Sequence, residues 1–280
     1  MLLYFLLKDI KRNVINRNIS KQKHDHNLVV VSMGEVLESK RVSTGIKELD
    51  DLIEGGFLRN SLILVAGHPG SGKSTLAGEY VYAGATDYGE NGVYACFSET
   101  KKPLIRNWRR FGWDFEKLGL EGKASILDLS VVREAGIQEN INRILEEINS
   151  IRAKRLVIDS FTGVSLAMKD LSEVRFLLRL LYKFVREISC TTMVIADIRW
   201  GTETIGSGME EFVADGIILL EMGFGNDEGL RRRLKILKMR GTTHTKKVHP
   251  YEITDKGIVI LPTSEEQIRR ELYAENRNRS

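Results

Sequence analysis

The chain is poor in cysteine and histidine, and what it has of each is not arranged for cross-linking or metal binding. Its two cysteines, Cys96 inside an apolar run and Cys190 just before another, give no disulfide framework. Both read as core residues of a protein kept in a reducing, cytoplasmic compartment. Of the five histidines, His24 and His26 form a short pair in a polar stretch, and His244 and His249 flank a turn. No zinc site is expected from them. A bilayer-spanning run is also missing from the N-terminus: Met1–Leu7 is apolar but too short, and no small-residue cleavage signature follows it. No membrane partner is expected. Charge is nearly balanced, with a formal net of +4, so any polyanion-binding surface would have to be local.

With 280 residues, 42% of them hydrophobic, the chain can bury one large core, and a single α/β domain is the expectation. Its most informative segment is Gly67-His68-Pro69-Gly70-Ser71-Gly72-Lys73-Ser74, which fits the phosphate-binding pattern G-x-x-x-x-G-K-[ST]. The glycines let successive backbone N–H groups turn toward phosphates, Lys73 adds a positive charge, and the Ser74 hydroxyl is placed for Mg²⁺. The apolar run Ser61–Ala66 before it predicts a buried strand. Ser74–Ala83 after it predicts a helix whose N-terminus faces the phosphates. Residues Gly67 through Thr75 are therefore the expected nucleotide cradle.

Three further apolar runs each end in a carboxylate. Gly92–Phe97 leads to Glu99, Arg155–Ile158 to Asp159, and Thr192–Ala196 to Asp197. Runs of this kind suit a parallel sheet covered on both faces, where ligands gather at the carboxyl ends of the strands. Asp159 is expected to share the Mg²⁺ with Ser74, Glu99 to orient or deprotonate an attacking water, and Asp197 to sense the γ-phosphate. The plainer alternative for each acid is to cap the helix that follows.

Taken together, these segments resemble the KaiC/RadA branch of the RecA-like ATPases over roughly Arg41 to Pro262. The likeness runs through Ser43–Leu52 with Gly55-Gly56-Phe57, Tyr94–Thr100, Phe111–Asp114, Ile158–Ser160, Glu210–Asp215 and Lys238–Thr242. It implies a three-layer α/β/α fold with a mainly parallel sheet and ATP with Mg²⁺ as ligands. It also implies a homo-oligomer, such as a hexamer, in which Lys238 and Arg240 reach the γ-phosphate held by a neighbouring subunit. Two positions apart on a strand-like run, Lys238 and Arg240 would project from one face, beside a break at Gly241.

Two departures from the family pattern bear on activity. Where KaiC domains usually carry adjacent glutamates, this chain has Ser98-Glu99, and a missing general base would leave hydrolysis slow. Where the clock protein has its phosphorylated Ser-Thr pair, this chain has Glu211-Phe212, which argues against self-phosphorylation of that kind. There is no second phosphate loop.

Outside this core, residues 1–32 form a basic extension, either a tail without fixed structure or residues ahead of a start at Met33. Residues 264–280 form a charged tail or helix after a domain spanning 33–263. Amphipathic spacing predicts packing helices at Ser172–Ile188 and Gln138–Ile151. A terminal hairpin is expected, with Thr254-Asp255-Lys256-Gly257 as its turn and Ile258–Leu261 as its second strand. The stretch Arg231–Lys247 is dense in Lys and Arg, and Arg199-Trp200 pairs a cation with an aromatic after the sensor strand, so single-stranded DNA is a candidate partner. The expected function is a Mg²⁺-dependent ATPase with sites completed between subunits, in a DNA recombination or repair setting. The alternative is a nucleotide-gated oligomeric regulator or scaffold with weak or no hydrolysis.

Overall fold

The computed structural model describes residues 41–129, 134–165, 171–202, 204–205, 210–224 and 229–262. The N-terminal extension and the C-terminal tail expected from the sequence lie outside the described residues. In chain order the elements are β1 (Arg41–Val42), α1 (Lys47–Leu52), β2 (Phe57–Leu58), β3 (Leu62–Gly67), α2 (Lys73–Asp87), β4 (Gly92–Cys96), α3 (Lys101–Arg109), α4 (Phe115–Leu120) and β5 (Ala124–Asp128). They continue with α5 (Glu134–Ser150), β6 (Arg155–Asp159), α6 (Phe161–Ser165), α7 (Leu171–Glu187), β7 (Thr191–Asp197), α8 (Glu210–Val213), β8 (Gly216–Phe224), β9 (Leu230–Met239), β10 (His249–Thr254) and β11 (Gly257–Ile260).

The main sheet has nine strands in the order β11-β10-β9-β8-β3-β7-β6-β4-β5. From β8 to β5 every pairing is parallel, while β9, β10 and β11 add on antiparallel. The extension is therefore larger than the terminal hairpin read from the sequence, because the basic run 230–239 folds back as a long hairpin partner of β8. Strand β3 sits at the centre and shows why both faces are covered. Ile63 and Val65 point into one apolar layer with Leu76, Ala77 and Tyr80 of α2, and Leu62, Leu64 and Ala66 into the other with Val174, Leu178 and Val185 of α7. All five β3 residues from Leu62 to Ala66 are essentially inaccessible, as period-2 alternation requires when each face has a helical cover. Truncating one of them, such as Leu64→Ala, costs about 2–5 kcal/mol by the usual cavity scale.

The helices follow their apolar spacing. In α7, Val174, Leu177, Leu178, Phe184 and Val185 are buried, the stripe predicted from the sequence. Helix α4 begins where the Asp114 carboxylate accepts the Lys117 N–H at 3.0 Å, a side-chain cap for an otherwise orphaned amide. Arg155, at the start of β6, is fully buried. It is paired with Glu90 at 2.8 Å, donates to the Tyr80 carbonyl at 2.7 Å and lies 4.5 Å from the Tyr80 ring centroid. A buried guanidinium needs a counter-charge and acceptors of this kind. No helix among the described residues is long and apolar enough to cross a membrane.

Candidate nucleotide site

Parallel order brings the ends of β3, β7 and β6 side by side, and the sheet register sets Gly67 beside Asp197. The chain leaves β3 at Gly67, where an added Cβ would lie 2.2 Å from the Leu220 carbonyl oxygen of β8; only glycine fits this approach. It re-enters helix at Lys73 after Gly72, whose φ of +91° is left-handed. No side chain among the described residues caps the N-terminus of α2, and its first turn carries no acid. The free amides and the positive end of the dipole thus face the loop unopposed, the arrangement that suits a phosphate. Two buried polar atoms of the loop, Ser71 Oγ and His68 Nδ1, have no hydrogen-bond partner among the described residues.

Lys73 is buried, and its Nζ donates to the carbonyls of Gly67 at 2.9 Å and His68 at 3.0 Å. It also lies 3.1 Å from Asp197 Oδ1. Ser74 Oγ donates to Asp159 Oδ2 at 2.7 Å. The Tyr94 hydroxyl donates to the same carboxylate oxygen from the adjacent strand β4. Burial pushes the Asp159 carboxyl up, against the hydrogen bonds from Tyr94 and Ser74 and the nearby charge of Lys73, which hold it down. Asp197 is fixed twice more: Ser160 Oγ donates to its Oδ2 at 3.1 Å, and its own N–H donates to Thr162 Oγ1 at 2.8 Å. Glu99 stands exposed just past β4. Desolvation, and then the charge of Asp159, raise its carboxyl above the ordinary glutamate value, and its backbone is tied to Cys96 Sγ. Ser98 is exposed beside it.

Several contacts to the loop have no local signal in the sequence. The Tyr251 hydroxyl of β10 donates to the Ser71 carbonyl, and Arg232 Nε of β9 donates to the Gly70 carbonyl at 3.3 Å. Trp200 stacks on His68 with centroids 4.6 Å apart. That contact gives the aromatic of the Arg199-Trp200 pair a partner inside the protein, although the indole remains 54% exposed. Tyr94 was legible only as part of a longer motif; its position two residues before Cys96 puts it on the same face of β4. Much of the basic stripe is likewise engaged internally, Lys235 at 2.9 Å and Arg233 at 3.9 Å from Glu221.

Lys238 and Arg240 lie away from their own phosphate loop. Met239 is registered with Gly216, and Gly216 with Ile63, so these side chains sit near the start of β3 while the loop leaves from its end. Four residues of strand, roughly 13 Å, separate the two levels. Strand β9 stops at Met239, one residue short of the sequence expectation, because Gly241 turns the chain at a φ of +64°. Lys238 Nζ donates to the Glu211 carbonyl at 3.1 Å, and Arg240 meets Asp215 at 3.4 Å. In the stretches that follow β6 and β7, residues 166–170, 203 and 206–209 lie outside the described residues.

A glycine-rich loop between a central strand and a helix, with serine, lysine and two strand-end acids converging on it, defines a P-loop nucleotide-binding protein on a RecA-like sheet. The comparisons with known proteins narrow this further. The model of the family described as "ATPase: KaiC" matches residues 42–265. A UPF0273 protein of Methanocaldococcus jannaschii is 35% identical over 237 residues, covering 80% of this chain and 97% of its own length. The circadian clock oscillator protein KaiC of Synechococcus elongatus is 37% identical over 230 residues, 79% of this chain but only 44% of that protein. The crystal structure of a KaiC-like protein from Pyrococcus horikoshii superposes with a TM-score of 0.73 at 37% identity, covering 80% of this chain and all of that one. The chain belongs to the KaiC family of RecA-like ATPase domains.

Proposed function

We propose that the protein is a Mg²⁺-dependent ATPase whose active site is closed by a neighbouring copy of the chain. The observation that carries this reading is the convergence of Lys73 with Asp197 at 3.1 Å and of Ser74 with Asp159 at 2.7 Å at one strand edge. The α2 amides and Lys73 hold the phosphates of ATP. In that role Lys73 exchanges the carbonyls of Gly67 and His68 for phosphate oxygens. Ser74 Oγ and the Asp159 carboxylate are the hard oxygen donors suited to magnesium, which neutralises phosphate charge when bound. Glu99 orients the water that attacks the γ-phosphate, and its raised carboxyl suits an exchange of protons nearer neutral pH. Asp197, bridged to Lys73 and Ser160, registers whether the γ-phosphate is present.

The trans part of the proposal rests on the sheet register. Because Lys238 and Arg240 lie near the opposite end of β3 from their own loop, a role at a γ-phosphate requires the nucleotide of a second protomer. Mixing Lys73→Ala protomers with Lys238→Ala/Arg240→Ala protomers tests this: shared sites predict restored nucleotide retention and turnover, and none in the mixture refutes them.

A second reading, a nucleotide-gated oligomeric module with slow hydrolysis, is favoured by Ser98 in the place of an acid. Tight ATP binding with negligible turnover would select it. Single-stranded DNA remains a candidate partner through Arg199 and the exposed face of Trp200. Stimulation of turnover by DNA, lost as salt rises, is the result that supports a recombination or repair setting.

A further inference from the structure

Both members of the proposed finger pair are held by one short stretch, residues 211–215. Lys238 rests on the Glu211 carbonyl and Arg240 on the Asp215 carboxylate. Asp215 is the more constrained of the two anchors. Its Oδ2 accepts the Leu62 N–H at 3.0 Å, its own N–H donates to the Leu62 carbonyl at 2.8 Å, and its carbonyl accepts the Arg240 N–H at 2.9 Å. Arg186, in the last turn of α7, meets its Oδ1 at 3.1 Å. One mostly buried carboxylate therefore joins the first residue of β3, the end of α7 and the candidate finger arginine. At the far end of β3 stands the protomer's own phosphate loop.

The way the carboxylate is shared matters. Arg240 is its more distant guanidinium partner, at 3.4 Å, and its side chain is 54% exposed. An open cavity of about 230 Å³, lined by Arg59, Ser61, Arg186, Asp215 and Arg240, lies beside the pair. The contact is made through Nη1 alone among the described residues, so the other N–H groups of the guanidinium can turn to a phosphate while Asp215 still holds it. The arginine is held in place and remains free to reach outward.

We propose that Asp215 is a positioning residue for the finger arginine: it fixes Arg240 against the base of β3 so that the guanidinium is presented to the nucleotide of a neighbouring copy. This rests on the shared-site reading above. A bidentate or charge-assisted partner sets the plane of a guanidinium as well as its place, and an arginine without that restraint loses its preorganised approach to a phosphate.

The test uses full-length protomers in mixtures, read by the dissociation rate of a fluorescent non-hydrolysable ATP analogue. Lys73→Ala protomers supply only fingers, and Lys238→Ala/Arg240→Ala protomers hold only nucleotide. Asp215→Asn keeps an oxygen for the Leu62 amide but lacks the charge that holds Arg240. Placed on the finger-supplying protomer, it is expected to speed analogue dissociation about tenfold; placed on the nucleotide-holding protomer, it is expected to change nothing. Equal effects on both backgrounds, with a lowered unfolding midpoint, would mean that Asp215 acts only through the fold and would overturn the proposal. No effect on the finger-supplying background would overturn it too. Arg186→Ala on that background is expected to leave retention intact, and a loss there would count against the proposal by placing the effect in the α7 end. Absence of any gain on mixing, before Asp215 is changed, removes the shared-site reading and this proposal together.

Discussion

Glu79, on α2 one and a half turns beyond the phosphate loop, gives a prediction whose size and sign both come from the structure. Burial is the main force on its carboxyl and pushes it from 4.5 up to about 7. The Ile258 N–H, which donates to its Oε2 at 3.0 Å, opposes that shift, and the charge of Glu48 adds to it. The folded protein thus prefers the protonated acid, whereas the unfolded chain ionises near 4.5. The stability this group contributes is fully present below pH 4.5 and is lost as pH rises through about 7. At 1.36 kcal/mol for each tenfold change in proton affinity, the loss across that window is at most about 3 kcal/mol. Glu79→Gln cannot ionise and still offers an oxygen to Ile258. The variant should therefore gain on the wild type as pH rises from 4.5 to 8, by up to that amount. Urea unfolding of both proteins across this range measures the difference directly. Parallel stability curves would show that Glu79 ionises in the folded state as it does in the unfolded one, and would refute the reasoning.

Other perturbations act on the site itself. Lys73→Ala removes the cation at the loop and leaves Asp197 without its lysine partner; ATP affinity measured by calorimetry should fall by about two orders of magnitude or more. Tyr94→Phe deletes a donor to the buried Asp159 carboxylate, so stability should drop by about 1–3 kcal/mol in chemical denaturation. The same change lets the Asp159 carboxyl rise further, so the acid limb of Mg²⁺-ATP binding should move to higher pH. Gly72→Ala forces a Cβ onto a left-handed residue and to within 2.7 Å of Ile253 Cδ1; nucleotide affinity should weaken more than global stability, as paired calorimetry and thermal unfolding would show.

The parts of the site legible in the sequence are those encoded by local spacing. The phosphate loop, Ser74, and the strand-end positions of Asp159 and Asp197 all follow from short windows in which apolar runs end in a functional residue. Periodicity likewise located α7 and the central strands. What was not legible depends on long-range register. Tyr251 meets Ser71, and Arg232 meets Gly70, across 180 and 162 residues, and no short pattern records which antiparallel strand will lie beside the loop. Arg155 shows a related limit. It begins an apolar run and gives no sign of full burial, which is possible only because Glu90 and the Tyr80 carbonyl converge on it. The one-residue misplacement at Arg240 has a local cause, since no Gly or Pro precedes Gly241 to mark the end of the strand, but the backbone has already begun its turn.

The central claim, hydrolysis of Mg²⁺-ATP with Glu99 orienting the water, is tested most directly by steady-state phosphate release from wild type and Glu99→Gln, each with Mg²⁺ and with chelator. The account predicts Mg²⁺-dependent turnover by the wild type, and a variant that binds ATP normally but releases phosphate at least about a hundredfold more slowly. Equal turnover by the two proteins, or turnover indifferent to chelation, would contradict it.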